Sequence, residues 1–102
     1  MKQNRVDRIM AALKEMGLHQ MLIVDPMSIY YLTGVYVSPF ERFYGLYLRE
    51  DGHHAFFLNR LFTVPQEVGI EKVRYSDTDP AMEIVAKYLD KDAPLGVDKE
   101  LK

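Results

Sequence analysis

The stretch from Asp25 to Arg42, DPMSIYYLTGVYVSPFER, constrains the chain most, because it fixes both ends of a short helix and then breaks into a segment with no regular period. Asp25 is placed to accept hydrogen bonds from the first free backbone N–H groups of that helix. Pro26 already holds a helical φ, and Gly34 offers a left-handed stop after Leu32 and Thr33. Two turns of helix are expected, with Ile29 and Leu32 on the buried side. Val35 to Arg42 follows neither a period of 2 nor one of 3.6, and Pro39 bends it. It carries Tyr36, Ser38, Phe40, Glu41 and Arg42 together on a loop, and aromatics beside a guanidinium on a loop suit a binding surface.

Around this stretch the hydrophobic pattern alternates between helix and strand. Val6, Ile9, Met10, Leu13 and Met16 recur at helical spacing, with Arg5, Asp7, Arg8, Lys14 and Glu15 on the other side, and Gly17 ends the helix with Leu18 folding back. Met21 to Val24 is too short for a buried helix and apolar on both faces, which predicts an interior parallel strand. Tyr44 to Leu48 and Ala55 to Leu58 flank Asp51-Gly52, which predicts an antiparallel hairpin. Between Asn59 and Gly69 a loop with a short helix starting near Pro65 is expected, followed by a brief strand from Lys72 to Tyr75. Asp79-Pro80 repeats the earlier Asp-Pro opening, and Ala81, Ile84, Val85, Tyr88 and Leu89 share a face, predicting a second full helix to about Leu89. A polar turn from Asp90 to Pro94 then leads to a strand from Leu95 to Val97. An α/β domain of three layers, α-β-α, with a mixed sheet satisfies this order. The ending at Lys102 looks cut, and with it one sheet edge is expected to lack a partner strand, a route to self-association.

Composition removes several functions. At 102 residues with 48% apolar content the chain makes one domain, and 13 basic against 15 acidic residues leave no positive field for nucleic acid or an anionic membrane. With no cysteine, thiolate metal sites, disulfides and a cysteine nucleophile are excluded together. Neither a signal-like start nor an apolar run of membrane length is visible, so the reading is cytoplasmic. His53 and His54 are adjacent on a predicted strand and point to opposite faces, which prevents joint chelation, and His19 stands alone in a connection. Asp77, Asp79, Asp90 and Asp92 lie where turns and caps want short acceptors. Ser28 and Thr33 have no positioned histidine base, and no glycine run cradles a phosphate. Among the rings, Tyr30, Phe43 and Tyr47 read as core and sheet packing. Arg42 suits a bidentate grip on a carboxylate, and an internal salt bridge with Glu41 or Asp25 is the competing account. No catalytic or metal-ligating residue emerges.

The paired blocks D-P-x-S-I-x-Y-L-T-G, from Asp25 to Gly34, and S-P-x-E-R-F, from Ser38 to Phe43, resemble the amino-terminal domain of the creatinase/prolidase family, and within it bacterial Xaa-Pro dipeptidases. The resemblance is dense over Asp25 to Leu48 and extends loosely over the element order. It implies the three-layer, ribonuclease H-like fold placed ahead of a larger catalytic domain that residues 1–102 do not contain. That domain, in such proteins, holds two divalent metals of the manganese or cobalt type and hydrolyses dipeptides ending in proline. To the amino-terminal domain the resemblance assigns homodimerisation and a loop reaching into the partner's active site, here Tyr36, Ser38, Phe40, Glu41 and Arg42. Similar prolidases often read D-P-H-E-R in this loop, so the acid and histidine they carry are replaced here by Ser38 and Phe40, a difference that bears on substrate preference. A free-standing domain that binds a peptide, an amino acid or a protein without hydrolysis is the alternative.

Overall fold

The computed structural model describes residues 2–37, 43–60, 62 and 70–98. In chain order the elements are α1 (Gln3–Glu15), β1 (Gln20–Ile23), α2 (Pro26–Thr33), β2 (Gly45–Arg49), β3 (Ala55–Asn59), β4 (Glu71–Tyr75), α3 (Ala81–Ala86) and β5 (Gly96–Val97). The strands form one sheet in the order β4-β3-β2-β1-β5, with β1 to β3 antiparallel to their neighbours among themselves, and β4 and β5 parallel to β3 and β1. The expected mixed sheet is present.

Alternation along the strands supplies the layers, because successive side chains point to opposite faces. Leu46, Leu48, Phe56 and Leu58 join Val6 of α1 and Ile29 and Leu32 of α2 in one core. Tyr47, Ala55 and Phe57 point the other way and join Val85 of α3. Two helices therefore cover one face and a third covers the other, and Leu46, Leu48, Phe56, Phe57 and Leu58 are fully buried between them.

Three local expectations need correction. β1 begins one residue earlier than its apolar run, at Gln20, and is parallel to β5 yet antiparallel to β2. Gln20 is tolerated at 0% exposure because its amide is fully engaged. Its Nε2 donates to the carbonyls of Asp90 at 2.8 Å and Ala93 at 3.1 Å, while its Oε1 accepts from the Tyr47 hydroxyl at 2.6 Å and the Asp90 N–H at 2.9 Å. The second helix is shorter than its apolar face suggests. Asp79 accepts from the Ser76 N–H at 2.8 Å instead of capping the helix, which opens at Pro80, and after Ala86 the bonds tighten to a spacing of three, Lys87 to Ile84 and Tyr88 to Val85. Tyr88 and Leu89 still pack on that core. Finally, β5 is confined to Gly96–Val97, with Leu95 packed against the core just ahead of it. The short helix expected near Pro65 lies outside the described residues.

The hairpin turns through residues 50–54, with Gly52 at φ 88°, a left-handed value that suits glycine. His54 closes it, its Nδ1 accepting the Arg49 N–H at 3.1 Å, while Asp51 accepts from the His53 N–H at 3.0 Å. Burial pushes the His54 pKa down, with repulsion from His53 adding to it and Asp51 opposing. Because the folded state binds this proton less readily than the unfolded chain, the stability it represents is present above the ordinary histidine pKa of about 6.5 and is lost as pH falls through the depressed folded value. Thermal midpoints measured from pH 7.5 to pH 5 are expected to fall more for the natural sequence than for His54→Asn, which takes up no proton. Parallel curves would refute the assignment.

Candidate functional site

α2 owes its position to two carboxylates. Asp25 caps it, Oδ2 accepting from the Ser28 N–H at 3.1 Å and from the Ser28 hydroxyl at 2.8 Å, so Ser28 is a capping partner and not a nucleophile. Asp98, just past β5, grips the chain immediately before the helix, accepting the Val24 N–H at 3.1 Å and the Asp25 N–H at 3.0 Å. At the other end Gly34, at φ 79°, donates its N–H to the Tyr30 carbonyl at 2.8 Å. The Thr33 hydroxyl donates to the Ile29 carbonyl at 2.7 Å and accepts the Val35 N–H at 3.0 Å, carrying the fixed geometry past the helix. Val35 then turns into the core, and Tyr36 turns out, 56% exposed.

Tyr36 does not stand alone. Its ring meets that of Tyr30 edge to face, with centroids 6.3 Å apart and planes at 89°. Tyr30 was expected in the core, and the structure overturns this, since its side chain is 48% exposed. Ile29, Leu32 and Thr33 take the buried side of the helix, which leaves Met27, Tyr30 and Tyr31 on the outer one. That arrangement was legible in principle from the spacing of 27, 30 and 31, but an apolar ring on a two-turn helix does not announce which side it takes. Arg5 of α1 holds the neighbouring ring, its guanidinium 4.3 Å from the Tyr31 centroid while Nη1 donates to the Tyr31 carbonyl at 2.7 Å. From Pro26 to Val37 no residue is charged, so the outer face of α2 presents rings and a thioether rather than a solvated charge pattern. Of the other loop residues expected to bind, Ser38, Phe40, Glu41 and Arg42 lie outside the described residues, as does the choice between Arg42 recognition and an Arg42 salt bridge.

Elsewhere the chemistry is structural. Phe43 packs against Phe57 and Tyr75, and Tyr47 is buried with its hydroxyl on Gln20, as expected for sheet packing. His19 was expected to stand alone, but its Nε2 lies 3.0 Å from the Asp90 carboxylate. Asp77 accepts from the Asn59 amide at 2.7 Å, and Asp90 from the Asp92 N–H at 3.0 Å, so these acids serve turns. An open cleft of about 620 Å³ is bordered by His53, His54, Glu71 and Tyr88, yet among the described residues no three His, Asp or Glu side chains are grouped to hold a metal ion. No helix among them is long and apolar enough to cross a membrane.

The same architecture recurs in known proteins. The chain is 24% identical, with a TM-score of 0.84, to the crystal structure of the creatinase/prolidase N-terminal domain of an X-Pro dipeptidase from Streptococcus pyogenes, covering 96% of this chain and 78% of that one. Against a proline dipeptidase from Streptococcus pneumoniae TIGR4 it is 25% identical with a TM-score of 0.85, covering 95% of this chain and 75% of that one. A curated Bacillus subtilis relative, "Putative dipeptidase YkvY", is 30% identical over 92 residues, which is 86% of this chain but only a quarter, 25%, of the relative. The family model described as the Creatinase/Prolidase N-terminal domain matches residues 5–101, and the chain therefore belongs to that family.

Proposed function

We infer that the chain is the non-catalytic amino-terminal domain of an Xaa-Pro dipeptidase, whose remaining portion carries the paired divalent metals and hydrolyses dipeptides ending in proline. The observation that carries this reading is the membership of residues 5–101 in the family together with their span of one quarter of a dipeptidase-named relative. Such a domain contributes in two ways, by joining a homodimer and by extending the segment from Tyr36 through Ser38, Phe40, Glu41 and Arg42 toward the partner's active site. The rigid exit from α2 supports the second role, because a loop that contacts substrate is useful only if its base is fixed.

Translating the reading frame past Lys102 tests the reading at once. Asp, Asp, His, Glu and Glu metal ligands within the next few hundred residues are expected, and their absence would favour a free-standing binding domain. The 102-residue chain alone is expected not to hydrolyse Ala-Pro or Leu-Pro with manganese or cobalt supplied. In the full-length dimer, Arg42→Ala is expected to raise KM or lower kcat/KM for Xaa-Pro, a loss of roughly 1.5 to 3 kcal/mol in transition-state stabilisation, the size of a lost charge-assisted hydrogen bond to the substrate carboxylate. Phe40→His is expected to change the preference among Xaa residues more than the overall rate, since it alters a wall and leaves the metals untouched. An Arg42→Ala enzyme with unchanged kinetics would remove the loop from the site.

A further inference from the structure

We propose that Tyr30 of α2 is the positioning residue for Tyr36, so that the two rings act as one preorganised aromatic wall at the base of the substrate loop. The inference rests on the reading above, in which Tyr36 belongs to the substrate-contacting segment, and it adds a residue that segment does not contain. Tyr30 lies on the better-fixed element. Its carbonyl accepts the Gly34 N–H that closes α2, and the helix is tied down by Asp25 at its start and by Ile29 and Leu32 beneath.

Among the described residues Tyr36 has no such anchor of its own. It follows Val35, whose burial aims it outward, and it is 56% exposed, so its described side-chain constraint is the edge-to-face contact with Tyr30. An exposed tyrosine free to rotate would spend part of its time away from any bound ligand. Resting one ring edge on the face of another restricts those rotamers while keeping the outer surface open to an apolar ligand group, such as the pyrrolidine of a prolyl residue or an aliphatic Xaa side chain. The contact needs the Tyr30 ring and not its hydroxyl, which sets the pattern of variants.

The test is a double-mutant cycle in the full-length protein with Ala-Pro as substrate, following KM and kcat separately along with the thermal midpoint. Tyr36→Leu is expected to raise KM about three- to tenfold with kcat nearly constant, Tyr30→Leu to raise it in the same sense, and Tyr30→Phe, which keeps the ring, to stay close to the natural enzyme. The double variant Tyr30→Leu/Tyr36→Leu should be no worse than Tyr36→Leu alone, because Tyr30 acts only through Tyr36. Both side chains are about half exposed, so the thermal midpoint should hold in every variant. If Tyr36→Leu leaves KM unchanged, the substrate-loop reading itself is overturned. If Tyr36→Leu raises KM while Tyr30→Leu is neutral, or the two effects add, that reading stands and the positioning role of Tyr30 is overturned.

Discussion

Gln20→Leu is expected to destabilise the domain by about 4 kcal/mol, although leucine is the more apolar residue and the position is 0% exposed. The side chain is nearly the right size, so the loss comes from what it leaves behind. The Tyr47 hydroxyl and the Asp90 N–H both give up their acceptor, and the carbonyls of Asp90, Ala93 and Pro94 lose the donor they share at 2.8, 3.1 and 3.4 Å. A fully buried polar group stranded in this way, as the Tyr47 hydroxyl would be, costs on the order of 1 to 3 kcal/mol, and the partly buried groups of the 90–94 turn cost less each, against which a leucine in place of an amide returns little. Among the described residues, this side chain and the His19–Asp90 contact at the surface help fasten the turn over residues 90–94 to the sheet. Amide exchange at Asp90 should therefore accelerate beyond what the global loss explains. Urea unfolding that places the variant within 1 kcal/mol of the natural sequence would show that the 90–94 turn relaxes freely and that Gln20 is a passenger.

This amide is also where the sequence is least legible. α2 can be read from residues alone, because Asp25, Pro26 and Gly34 each do something local that no distant contact needs to supply. The hairpin is readable for the same reason, with Asp51-Gly52 between two apolar runs. Gln20 breaks the apolar pattern of β1, and its partners lie some 70 residues away in a turn whose own sequence, Asp90 to Pro94, looks solvated. Only the fold brings them together. His19 escapes notice by the same route, and α3 ends early because the apolar face of Tyr88 and Leu89 can be buried from a tightened turn as well as from a helix. At the site, the loop was marked by its composition and by resemblance. Tyr30 was not, since a ring lying between Ile29 and Leu32 in an uncharged stretch reads as core until the direction of the helix is known.

Asp98→Ala is expected to cost about 3 kcal/mol and to be felt at the start of α2, which follows directly on the two amides that Asp98 holds. One carboxylate there satisfies two consecutive backbone donors, Oδ1 taking the Val24 N–H at 3.1 Å and Oδ2 the Asp25 N–H at 3.0 Å, and an ionised acceptor makes each bond stronger than a neutral one. Such bonds contribute roughly 1.5 to 3 kcal/mol apiece, reduced here because the site is only partly buried. β5 is itself short. Its ladder with β1 is two residues long, Met21 to Gly96 and Leu22 to Val97, so losing the grip of Asp98 should fray the edge of the sheet as well. Asp25 would be freed at the same stroke, and since its side chain caps α2, the helix that carries Tyr30 would lose the fixed direction of its first turn. Asp98→Asn discriminates between charge and geometry, because an amide presents one acceptor oxygen and turns its NH₂ toward the second N–H. About half the loss is expected from it. Amide exchange at Val24 and Asp25 should quicken in both variants, more in Asp98→Ala. If Asp98→Asn matches the natural sequence in urea unfolding and in exchange at these two amides, the paired grip contributes nothing and α2 is held by its apolar face alone.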